Sequence, residues 1–143
     1  NDGIDFMETS AVINSGKIIN SKDKGISIGE NSSVNINKIV LKDNKTGIAI
    51  KDSSEAEVEN STFDNNKIQV SSYAKNWRYG SGGAIKIKNS KFQNNINNFY
   101  TKRDPEVKKS NIQKDLVQNS EILIESSEFQ GDIKSEGDKI FIN

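Results

Sequence analysis

In a chain with no His and no Cys, chemistry falls to carboxylates, amines and aromatic rings, and three groups of these stand out. The first is Asp2, Asp5 and Asp23, with Lys24 beside Asp23 and Lys51 further on. Carboxylates set side by side can give and take a proton at a scissile bond, or supply oxygen ligands to Ca²⁺. The competing reading is a set of turn aspartates that cap exposed amides. The second group, Glu8, Glu30 and Asp52, recurs at a step of 22 residues. Like charges stacked at such a period repel one another unless water, Lys51 or a cation such as Ca²⁺ screens them. No dense Asp/Gly calcium repeat surrounds them, so they read first as solvated turn residues. The third group is Tyr73, Lys75, Trp77, Arg78 and Tyr79, which gathers the single Trp and two of the three Tyr within seven residues. Flat rings suit the apolar faces of sugars, and Lys and Arg suit uronate or sulfate groups. The alternative is a loop that pins itself by laying its aromatics on the protein wall. Gly80-Ser81-Gly82-Gly83 lacks the Lys-Ser/Thr of a phosphate loop and reads as the return of that loop to a strand at Ala84.

What must position these groups is a repeat. Gly3-Ile4-Asp5-Phe6, Gly25-Ile26-Ser27-Ile28 and Gly47-Ile48-Ala49-Ile50 follow one another at 22 residues, and Ile68-Gln69-Val70 is a weaker fourth copy, two residues early. A fixed period of this length means one structural unit stacked on itself. Within each phrase, period-two geometry sends the two apolar residues inward and leaves Asp5, Ser27, Ala49 and Gln69 outward. A second strand supplies the columns Val12, Val34, Ala56, Ile85, Ile122 and Ile36, Val58, Ile87, Ile124. A third supplies Ile19, Leu41, Phe63, Phe92 and Phe129. Asn14 breaks the second column, which predicts a bulge in the first coil that turns Ile13 inward. Three short strands per coil predict an all-β fold, a right-handed parallel β-helix with about 22 residues per coil. An antiparallel sandwich shares the alternation but predicts no such repetition of residue types.

Two insertions break the period, Ser71 to Gly83 and Asn97 to Asn119, and insertions of this kind in a solenoid often form its working face. Residues 106–117 have rough helical spacing, and Lys139 to Ile142 predicts a last strand. The 143 residues read as one β-helix domain. Only 32% are hydrophobic, which suffices if each coil needs few inward side chains. The 20 basic and 20 acidic residues cancel and form no basic face, which argues against a nucleic-acid partner. No apolar run approaches a membrane span. Absence of Cys excludes disulfides and thiolate metal sites, and no cofactor is expected beyond the Ca²⁺ already weighed. Because an open coil exposes unpaired backbone, we expect a partner upstream, further coils or a domain of the same protein.

The phrases resemble known families. Asn1-Asp2-Gly3-Ile4-Asp5, Asp23-Lys24-Gly25-Ile26-Ser27-Ile28-Gly29 and Thr46-Gly47-Ile48-Ala49-Ile50-Lys51 resemble, in order, three strands of polygalacturonase-type, pectin lyase-like glycoside hydrolases. That resemblance implies a general-acid role for Asp2 and a substrate-holding role for Lys51. Lys24 stands at the family's histidine position and Ala49 at its arginine position, and the family's Asp-Asp coil is missing. The chain is more similar, over most of its length, to non-catalytic β-helix regions of bacterial surface proteins, some of them downstream of kinase domains of the spore-coat protein H type. Asp23 to Ser32, Gly47 to Ser54 and Ser72 to Gly83 carry this second resemblance. It implies a scaffold in an extracellular or cell-surface protein whose chemistry lies elsewhere, and the rings and cations of the 71–83 loop make polysaccharide a candidate ligand. The alternative is one edge of the active cleft of a polysaccharide hydrolase or lyase, with Asp2, Asp5 and Lys51 as its candidate residues.

Overall fold

Alternation decides which side chains meet. In Gly25-Ile26-Ser27-Ile28 both isoleucines are fully buried, and the partners they need lie one repeat away. A computed structural model describes residues 1–102 and 119–143. Its first layer is β1 (Ile4–Met7), β2 (Ser10–Ile13) and β3 (Gly16–Ile19). The next two are β4 (Lys24–Gly29), β5 (Ser33–Asn37), β6 (Ile39–Lys42), and β7 (Thr46–Lys51), β8 (Glu55–Glu59), β9 (Thr62–Asp64). Then come β10 (Ile68–Tyr73), β11 (Ala84–Lys88), β12 (Lys91–Tyr100), β13 (Glu121–Glu125), β14 (Glu128–Glu136) and β15 (Ile140–Ile142). The one helical element among the described residues is a 3₁₀ turn, Trp77–Tyr79. Residues 106–117, with their helical spacing, lie outside the described residues.

Every described strand pair is parallel. One sheet runs β1-β4-β7-β10-β12-β9-β6-β3, with β14 added beside β12, and the other runs β15-β13-β11-β8-β5-β2. The sheets curl about one apolar core in the manner of a parallel solenoid. This arrangement rules out the antiparallel sandwich. Ile4 pairs with Ile26, Ile26 with Ile48 and Ile48 with Val70, so residues 22 apart lie side by side.

The register corrects three readings. Gln69 does not continue the outward column, because Ala49 pairs with Ser71 and the step of 22 holds through Val70. In the first layer, Ala11 pairs with Val34, Val12 with Asn35 and Ile13 with Ile36. The corner after β1 is Glu8-Thr9, one residue shorter than Glu30-Asn31-Ser32 after β4. That shift, with no bulge inside the strand, turns Ile13 inward, leaves Val12 outward and places Asn14 in solvent. For the same reason Ile18, not Ile19, faces Leu41 and begins the aromatic column. Insertion bounds also move: Ser71 to Tyr73 belong to β10, and Asn97 to Tyr100 to β12, where Phe99 pairs with Val70.

Stacking sets the energetics. Phe63, Phe92 and Phe129 overlap face to face at 4.7 and 4.9 Å, and Phe99 meets Phe92 edge-on at 5.3 Å. Each such pair adds about 0.5–1.5 kcal/mol beyond burial. Corners are closed by residues in the left-handed region, among them Lys38, Asn60, Asn89 and Ser126. Beneath them runs a serine ladder: Ser61 and Ser90 hydroxyls donate to carbonyls of their own corner and accept the amides of Ile39 and Ser61. A buried amide chain, Asn44, Asn66, Gln69 and Asn97, does the same at another corner. Gly47 begins its phrase because the next layer passes too close for a side chain. A Cβ there would lie 2.6 Å from the Gln69 carbonyl oxygen.

Candidate functional site

The corner after β1, β4 and β7 carries Glu8, Glu30 and Asp52, each in the left-handed region with φ of 47°, 56° and 53°. One layer on, β10 is followed not by a tight corner but by the excursion 74–83, and this loop folds back over the acidic corners. The structure therefore brings together the acidic column and the aromatic cluster, two groups that sequence reasoning kept apart.

The loop is tied down along its length. Asp52 Oδ1 accepts the backbone amides of Lys75 at 2.7 Å and Asn76 at 2.8 Å. Asn76 caps the 3₁₀ turn by accepting Arg78 N–H at 3.1 Å, and Gly80, at φ 74°, ends it. Ser53 Oγ donates to the Tyr79 carbonyl at 2.6 Å and lies 2.8 Å from Ser81 Oγ. Tyr79 reaches the first layer, where its hydroxyl donates to Glu8 Oε1 at 2.7 Å. That bond, with desolvation and the Glu8 charge behind it, pushes the phenol up to about 12. Ser72 Oγ closes the base of the loop on the Gly83 carbonyl.

The five aromatic and basic residues thus divide. Tyr73 is buried at the end of β10, paired with Lys51, and Tyr79 is an anchor. Trp77 stands out at 62% exposure, with the Arg78 guanidinium 5.7 Å from its ring centre, and Lys75 is exposed nearby in the chain. A rigid turn that exposes an indole beside a cation can stack on a sugar ring and pair with its acidic substituent.

The first carboxylate group is also divided. Asp2 Oδ1 accepts the Lys24 amide at 3.1 Å and lies 3.9 Å from Lys24 Nζ, which holds Asp23 Oδ2 at 2.6 Å. Burial raises the Asp23 carboxyl, but the Lys24 hydrogen bond and the charges of Lys24, Lys45 and Lys51 outweigh it and hold it below its ordinary value. Asp5 is exposed on the outer face, where it favours the charged form of Lys51. Lys51 is only 8% exposed, and its side chain runs past Gly29, whose missing Cβ leaves the room: that position is 3.1 Å from Lys51 Cε. Burial pushes the Lys51 amine down, and Lys75 and Lys24 add to the effect against Asp5 and Asp52. Asp52 is itself buried, with one oxygen committed to the loop. Among the described residues no three carboxylates are grouped to hold a metal ion.

Sequence reasoning missed Ser53, Asn76 and Ser81 as loop anchors. Asn76 carried a signal, since Asn before a short turn is a common cap, while Ser53 and Ser81 are legible only from the fold. No protein-family model matches this chain, and no curated protein or solved structure matches it either.

Proposed function

We propose that the chain is a non-catalytic right-handed parallel β-helix, pectin lyase-like in kind, with about 22 residues per coil. In this reading it is a scaffold module of a secreted or cell-surface bacterial protein, joined to further coils or a domain, and its 74–83 loop contacts acidic polysaccharide. The observation that carries the contact is Trp77, exposed on a turn that Asp52, Ser53 and Glu8 hold in place. Pre-anchoring matters because a loop already ordered loses little entropy on binding. The scaffold part is supported by the way the carboxylates are used, Asp23 on Lys24 and Asp52 on loop amides. Calorimetric titration with polygalacturonate and a sulfated glycan tests the contact. The chain should bind, Trp77→Ala should lose at least tenfold in affinity, and Arg78→Gln should lose more for charged than for neutral glycans. Equal binding by Trp77→Ala would remove the loop from the account.

One observation favours a second reading, an edge of an active cleft in a polysaccharide hydrolase or lyase completed by further coils. Asp5 and the buried Lys51 stand on the outer face of the β1-β4-β7 sheet, where the Asp5 carboxylate favours the charged form of Lys51. Release of reducing ends or unsaturated products from uronate polymers, lost in Asp5→Asn, would support it, and no turnover by the intact protein would dismiss it.

A further inference from the structure

Three buried side-chain hydroxyls among the described residues have no hydrogen-bond partner: Ser27, Ser71 and Ser120. A buried polar group left unpaired in a folded protein marks a place where water, an ion or a ligand belongs. Ser120 lies at a corner, beside Gly82. Ser27 and Ser71 stand in one outward column of the first sheet, on either side of Ala49, and neither is more than 1% exposed. The same face carries the Lys51 amine. Its side chain folds from β7 back over β4, so that Cε lies 3.1 Å and Nζ 3.5 Å from where a Gly29 Cβ would be. Ser27 is two residues before Gly29 in β4 and points to the same side. An amine and an unpartnered hydroxyl therefore occupy neighbouring positions over one strand.

Among the described residues no hydrogen bond and no ion pair engages Lys51 Nζ, although the side chain is only 8% exposed. The charges that act on it come from four elements: Asp5 on β1, Lys24 on β4, Asp52 at the corner after β7, and Lys75 on the loop. Burial first, then Lys75 and Lys24, disfavour the ammonium, while Asp5 and Asp52 support it. Asp52 already gives Oδ1 to the Lys75 and Asn76 amides. The balance favours the neutral amine, whose nitrogen lone pair can attack a carbonyl carbon. So little of the side chain is open that only a very small electrophile can enter, and a sugar aldehyde is too large. Carbon dioxide, linear, triatomic and uncharged, meets that limit.

We propose that Lys51 is a carbamylation site, taking up carbon dioxide as a lysine carbamate that accepts a hydrogen bond from Ser27 Oγ. The neutral nitrogen forms a bond to the carbon of CO₂, one C=O π pair moves onto oxygen, and one proton leaves the nitrogen for water. Nothing is oxidised or reduced. The product replaces a cation by an anion, so Lys24 and Lys75, which oppose the ammonium, favour the carbamate. Carbon-13 NMR of the 143-residue chain in mildly alkaline, carbon-13-labelled bicarbonate tests this. A carbamate resonance is expected, separate from bicarbonate and from the carbamate of the terminal amine. It should vanish in Lys51→Met and, as a second deletion of the amine, in Lys51→Gln, with circular dichroism as the check on folding. Ser27→Ala should lower its intensity at least threefold, while Ser27→Thr, which keeps a hydroxyl, should retain it. A wild-type spectrum that matches those of the Lys51 variants would overturn the proposal, as would a Ser27→Ala signal as strong as the wild type's.

Discussion

At the residue scale, what a side chain does here is set by which layer it bonds across. Glu8 and Tyr79 are 71 positions apart, yet they form one hydrogen bond. Glu8→Gln replaces the charged acceptor of the Tyr79 hydrogen bond, the main cause that pushes the phenol up to about 12, so the Tyr79 titration, followed by tyrosinate absorbance, should move down toward 10. A tyrosine signal unmoved by that change would break the link. Lys51 makes an opposite case, a cation held where charge is disfavoured. Its folded-state pKa lies below its unfolded value of 10.5, so the unfolded chain binds the proton more tightly. The destabilisation is complete below the folded pKa and is relieved as pH rises from there toward 10.5. Lys51→Met should therefore raise the denaturation midpoint at pH 7 and narrow its advantage on approach to that value. An advantage independent of pH would show that packing, not charge, is the cause. None of this was legible from residue types: the loop could be seen to be rich in rings, but not which ring would be buried, which anchored and which left in solvent.

At the scale of elements, the strands were readable because two periods coincide, alternation within a strand and the step of 22 between strands. Ile26, Ile36, Val58 and Phe63 satisfy both and sit in the core. Misreadings arose where only one period was visible. Val12 and Ile19 are apolar and evenly spaced, and nothing in their types reveals that the Glu8-Thr9 corner is one residue short. Gln69 was displaced because Ile68-Gln69-Val70 looks like the phrase, whereas the constant step puts Val70 beside Ile48. The corners were the least legible part, since Ser, Asn and Asp suit any turn. Phe92→Ala empties the middle of the aromatic stack and should cost about 3–5 kcal/mol in denaturant unfolding. Ser90→Ala leaves the buried Ser61 amide without its acceptor and should cost about 1–3 kcal/mol. A loss below about 0.5 kcal/mol, the range of ordinary surface changes, would mean that the ladder does not close the corner as described.

At the scale of the whole molecule, the parallel stack is a wall, and the 74–83 loop departs from its repeat. The wall supplies acceptors and donors at fixed spacing, and the loop uses them to hold one indole outward. Stability and binding should then separate. Trp77→Ala, on the exposed side, should change unfolding by no more than about 0.5 kcal/mol while it weakens the proposed glycan contact at least tenfold. Since Trp77 is the only Trp in the chain, its own emission reports directly on the proposed platform. Titration of the intact chain with polygalacturonate should give a saturable change in Trp77 fluorescence, with the emission maximum shifting to shorter wavelength as the ring leaves water. Emission that stays unchanged through saturating polysaccharide would contradict the account.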